Sequence, residues 1–82
     1  MVKLSILSYN VRGLNAKVKR LKCLDLLRRK NVDIAFVQET HLRADDVPRF
    51  QNKKYKVVAS DCGSSNSRGT VILTKRSLVL EV

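Results

Sequence analysis

Ile34-Ala35-Phe36-Val37-Gln38-Glu39-Thr40-His41 is an unbroken apolar run that ends abruptly in polar residues. The run predicts a central strand covered on both faces. Glu39 follows it at once. The strand therefore delivers a carboxylate on a rigid support to a solvent edge, which is where α/β proteins place ligands.

Upstream, Val2 to Tyr9 reads as a second strand, with Leu4 and Ile6 on one face and Leu7 and Tyr9 on the other. Asn10-Val11-Arg12-Gly13-Leu14 is a loop, with Gly13 supplying backbone freedom and Asn15 placed to cap a helix. From Ala16 to Lys30, Val18, Leu21, Leu24 and Leu27 recur at helical spacing beside Cys23 and Leu26. Arg28, Arg29 and Lys30 suit the negative end of the helix dipole, and Asn31 suits a left-handed stop. Strand, helix and strand make a βαβ unit with parallel strands. Asn10 and Glu39 then emerge at the same sheet edge. On neighbouring strands, about 4.8 Å apart, an amide oxygen and a carboxylate oxygen can converge on one hard cation. Magnesium suits such a site, because it takes one or two protein ligands and keeps waters for the rest.

Downstream, residues 40–54 lack periodicity apart from a short helical turn expected at Val47 to Gln51, with Asp46 as cap and Pro48 in its first turn. Residues 55–60 and 69–74 are β-rich and flank a polar stretch, which predicts an antiparallel hairpin. Residues 77–82 alternate, with Leu78, Leu80 and Val82 on one face. A last apolar strand with no successor implies further sequence beyond Val82.

The 82 residues are enough for one small domain; they contain no internal repeat, low-complexity tract or second-domain boundary. Lys and Arg number 17 against 7 Asp and Glu, a net charge of +10 that points to a polyanionic partner, nucleic acid first. The rival reading is a solvated basic surface. Cys23 and Cys62 form neither a disulfide framework nor a zinc spacing, and no stretch reads as a membrane span, so an intracellular setting without a membrane partner is expected. Dinucleotide, P-loop, HExxH and GxSxG patterns are absent. His41, the single histidine, is better suited to pairing with Asp45 or Asp46, or to touching a phosphate, than to general-base work.

Three segments resemble, in order and spacing, the beginning of the endonuclease/exonuclease/phosphatase family: residues 8–14 (SYNVRGL), 36–42 (FVQETHL) and 67–73 (SRGTVIL). The likeness is strongest to the N-terminal endonuclease domain of LINE-type retrotransposon proteins. It implies an α/β fold, the N-terminal part of a four-layered α/β sandwich, in which residues 1–82 are an N-terminal fragment of one domain. It also implies magnesium-dependent phosphodiester hydrolysis of DNA, with Mn2+ as a substitute metal. By resemblance, Glu39 is the metal-holding carboxylate and Asn10 its amide companion, both catalytic, while Thr40, His41 and Arg68 are candidates for DNA contacts. Nuclear or cytoplasmic residence follows from the resemblance alone.

Two departures stand beside it. Arg12 occupies a position where many abasic-site endonucleases carry an acid. The family's later Asp-x-Asn pair, Ser-Asp-His ending and mid-domain Tyr have no counterpart before Val82. The isolated chain is accordingly expected to be inactive or nearly so, with the C-terminal half of the domain as its structural complement. A non-catalytic nucleic-acid-binding remnant is the alternative. A phosphoinositide or sphingomyelin phosphodiesterase ranks last, given the positive charge.

Overall fold

The computed structural model describes residues 4–43, 45–61 and 69–78. Cys62, Arg68 and most of the strand expected at 77–82 lie outside them. In chain order the elements are β1 (Ile6–Asn10), α1 (Lys17–Arg29), β2 (Ile34–Gln38), a single 3-10 turn (Val47–Arg49), β3 (Tyr55–Asp61) and β4 (Thr70–Lys75). They form one mixed sheet of order β1-β2-β4-β3. β1 and β2 run parallel, and β4 pairs antiparallel with both β2 and β3. The βαβ unit and the hairpin are as the sequence predicts, and the hairpin closes onto β2 through its second strand. A one-residue shift between Val57 and Ala59 marks a bulge in β3.

The core lies between α1 and one face of the sheet. Cys23, Leu24 and Leu27 of α1 meet Ala35, Val37, Val71, Leu73 and Tyr55, with Leu14, Val32, Leu42, Val47 and Phe50 closing the ends. Burial pushes the Cys23 thiol up to about 11, leaving it a free, unreactive thiol. The expectation that β2 is covered on both faces is corrected for the described residues. Along β2, Ala35 and Val37 are fully buried while Phe36, between them, is 37% exposed, and neighbouring Ile6 is 59% exposed. One helix covers one face, so strict alternation survives in a run whose composition reads as buried throughout.

The helix also departs from its expected stripe. Val18 and Leu21 are 60% and 55% exposed, because the core meets only its second half. Its N-cap is Ala16, with no side-chain cap; the Asn15 carbonyl instead accepts Arg20 Nη1 at 2.9 Å. The C-terminus follows the prediction. Asn31 is left-handed (φ 55°), its amide bonds Arg28 O and the Val32 amide bonds Leu27 O, both at 3.0 Å. These are the two bonds of a Schellman stop.

Below that stop, Asp33 ties three segments together. Its carboxylate accepts the Ser5 amide at 2.8 Å and Lys75 Nζ at 3.2 Å, and its own amide donates to Ser5 O. The Ser5 hydrogen bond first, then Lys75, holds the Asp33 carboxyl below its ordinary value. A depressed folded-state value contributes stability above the unfolded value and loses it as pH falls through the folded one. Asp33→Asn is therefore expected to flatten the acid limb of stability against pH, below about pH 4, while lowering stability at neutral pH. Urea unfolding at stepped pH measures this; parallel wild-type and variant curves would refute it.

Candidate active site at the strand ends

β1 and β2 are in register, with Asn10 opposite Gln38, so both side chains face the side of the sheet away from α1. Continued alternation would send Glu39 to the α1 side. It does not continue. Glu39 takes a left-handed backbone (φ 54°), breaking the period, and its Oε2 accepts a hydrogen bond from Asn10 Nδ2. The two side chains are thus in contact across adjacent strand ends through the amide nitrogen, whereas the expected convergence is that of the amide oxygen with the carboxylate.

The backbone around them is zipped beyond the strands. Val11 N donates to Gln38 O at 3.0 Å, Gly13 N to Glu39 O and Leu14 N to Thr40 O at 2.7 Å each, and Thr40 N to Gly69 O at 3.3 Å. Asn10 Oδ1 accepts the Arg12 amide at 3.2 Å, which orients the Asn10 side chain from its own loop. Arg12 (φ 51°) and His41 (φ 54°) are left-handed as well. Each non-glycine residue so placed costs about 1–2 kcal/mol. Strain of this kind persists where surrounding bonds over-determine it, and it concentrates at functional sites.

The remaining predicted contacts divide. His41 is exposed and lies beside Gly13, whose Cβ would sit 3.8 Å from His41 Cδ2. Asp46 pairs with Arg49 at 3.4 Å. Thr40 is a correction: it is 1% exposed and its Oγ1 accepts the Leu42 amide at 3.4 Å, so its side chain fastens the loop and offers no surface to DNA. Arg68 is outside the described residues.

Sequence reasoning passed over Arg20. Its Nη1 donates to Leu14 O at 3.0 Å as well as to Asn15 O, pinning the loop whose amides hold Glu39 and Thr40. An arginine one turn after the expected cap, within reach of the carbonyls that precede the helix, was the available signal.

Residues 7–82 match the family model described as Endonuclease/Exonuclease/phosphatase family. The chain belongs to that family. It is also similar to the Probable RNA-directed DNA polymerase from transposon X-element of Drosophila melanogaster, 28% identical over 78 residues, which is 95% of this chain and 8% of that protein. At family level the chemistry is nuclease- or phosphatase-type hydrolysis of phosphate esters. In this member of the endonuclease/exonuclease/phosphatase family, Asn10, Glu39 and Gly69 sit in or beside the segments that carried the resemblance. No helix among the described residues is long and apolar enough to cross a membrane.

The family implies a divalent metal, and the donors at the strand ends are of the right kind for one. A carboxylate and an amide oxygen are hard ligands, and a magnesium site is completed by waters and substrate phosphate rather than by a protein cage. Among the described residues no three of His, Cys, Asp or Glu come together, so a closed tetrahedral site is not built there.

Proposed function

We propose that the chain is the N-terminal part of a magnesium-dependent endonuclease domain that hydrolyses DNA phosphodiesters, with Glu39 and Asn10 at its metal site. The carrying observation is the contact between Asn10 and Glu39 at the ends of parallel neighbours, held by a left-handed Glu39. Glu39 holds the cation and Asn10 orients the Glu39 carboxylate through Nδ2, while its amide oxygen, which accepts the Arg12 amide, has a second lone pair for the cation. When bound, the metal supplies Lewis-acid polarisation of the phosphate, and Mn2+ serves the same donors. His41 keeps its proposed phosphate contact, supported by its exposure beside Gly13. Arg68 keeps its proposed DNA contact from the resemblance. The chain spans 8% of the length of the relative it matches, so the activity proposed is that of a longer domain.

Titrating magnesium into the chain, followed by the Asn10 side-chain amide resonances, tests the site without requiring turnover. The expected result is a saturable shift of those resonances that Glu39→Ala removes. Plasmid nicking by the 82 residues alone is expected to be absent or nearly so. Shifts that persist in Glu39→Ala would sink the metal site, and Glu39-dependent nicking by the isolated chain would overturn its expected inactivity.

The rival is a binding remnant that cuts nothing, favoured by the +10 charge alone. It would bind DNA with steep salt dependence and no response to magnesium.

A further inference from the structure

Positive charge gathers at a second place besides the candidate active site. At the edge carrying Asn10 and Glu39, Arg12, Arg43 and, from the start of α1, Lys17 and Arg20 stand with Glu39 and Asp61. The opposite edge gathers the end of α1, the start of β3 and the end of β4. There Arg28 and Arg29 share Asp25, at 2.8 and 2.9 Å, and Lys75 pairs with Asp33. Lys30, Lys53, Lys54 and Arg76 are exposed and make no ion pair among the described residues. Seven cations against two carboxylates account for half of the chain's net +10.

Three of the four uncompensated cations meet at one turn, where Arg76 is bonded to the backbone of Asn52 and Lys54 and Lys53 lies between those two in the chain. Asn52 Oδ1 accepts the Lys54 and Tyr55 amides at 2.9 and 2.8 Å, forming a turn that presents Lys53 and Lys54. Arg76 clasps the same turn, its amide on Lys54 O at 2.8 Å and its Nε on Asn52 O at 2.6 Å. Helix-dipole capping accounts for Lys30 but not for these. A turn built to hold three like charges together costs repulsion, which a polyanion relieves.

We propose that this pole, formed by Lys30, Lys53, Lys54 and Arg76, is a second DNA-binding surface that grips backbone phosphates. It is separated from Glu39 by the five residues of β2, about 17 Å. One chain can then hold a DNA segment at the pole independently of a phosphate at the strand ends. The inference leans on the proposed function only in taking DNA as the polyanion. Glu39→Ala, which tests that function, leaves pole binding unchanged.

The test is the salt dependence of binding of the 82-residue chain to a DNA duplex of random sequence. Lys30→Gln/Lys53→Gln/Lys54→Gln is expected to reduce the slope of log K against log salt by about 3, one for each phosphate left without its cation. Adding Arg76→Gln removes about one more. The equal-charge control Lys17→Gln/Lys19→Gln/Lys22→Gln, on α1, is expected to change the slope by less than about one. Circular dichroism checks that each variant is folded, and the triple variant leaves the Arg76 clasp intact. Equal slope reductions in pole and control variants would overturn the proposal, as would tighter pole-dependent binding to phosphatidylserine vesicles than to the duplex.

Discussion

Tyr55→Ala is expected to remove a large share of the stability of this chain, about 3–5 kcal/mol, and to lower its urea midpoint steeply. Tyr55 is fully buried at the start of β3. Its hydroxyl reaches Val32 O at 2.7 Å and Leu27 O at 2.9 Å, one proton shared between the helix stop and the connection into β2. The side chain thus joins the hairpin to the βαβ unit through ring packing and a buried polar tip. Truncating a buried aromatic costs about 3–5 kcal/mol. A domain of 82 residues holds only about 4–12 kcal/mol in all. Tyr55→Phe separates the two contributions. Leu27 O keeps the Val32 amide, so the loss falls mainly on Val32 O, and about 1–2 kcal/mol is expected. Urea denaturation of both variants measures the split. A Tyr55→Ala protein with wild-type midpoint would show that the hairpin is not secured through this residue.

Much of this architecture was legible because it rests on local chemistry. Apolar spacing at 3.6 and 2 marked the helix and strands, and Asn31 is one of few residues that accept a left-handed backbone cheaply. What failed was whatever depends on partners. Period 2 identifies β4 as a strand but is silent on its insertion between β2 and β3. Val18 and Leu21 keep helical spacing whether or not a sheet lies beneath them, so their exposure could not be foreseen. The polarity of Thr40 suggested a surface contact, whereas three-loop hydrogen bonding buries it. The convergence of Asn10 with Glu39 followed from topology alone. The left-handed turn at Glu39 that completes the contact has no signature in composition, because glutamate carries no preference for it.

Asn10→Asp reverses the logic of that contact, and it is expected to couple metal binding to pH. In the native chain an amide donor faces an acid; in the variant two acids face each other. Both cannot ionise cheaply at contact distance, so the pair titrates in two steps, the upper one raised. A raised folded-state value gives stability that is present below the unfolded value, near pH 4, and lost as pH rises through the folded one. Without metal, the variant is therefore expected to fall progressively below wild type toward neutral pH. A dication reverses the penalty, because it replaces the retained proton and gains a second carboxylate. Affinity for magnesium at neutral pH is expected to rise about 10-fold or more over wild type, the effect of an added ligand charge. Thermal shifts at acidic and neutral pH, with and without magnesium, read both halves of this result, and calorimetry in buffers of different ionisation enthalpy counts the released proton. Glu39→Ala in the Asn10→Asp background leaves one acid and no competing charge, so the metal-free stability should recover while the metal response fades. A metal response that survives in Asn10→Ala/Glu39→Ala, with neither donor left, would place the cation elsewhere, and the contact between the strand ends would then be a structural clasp alone.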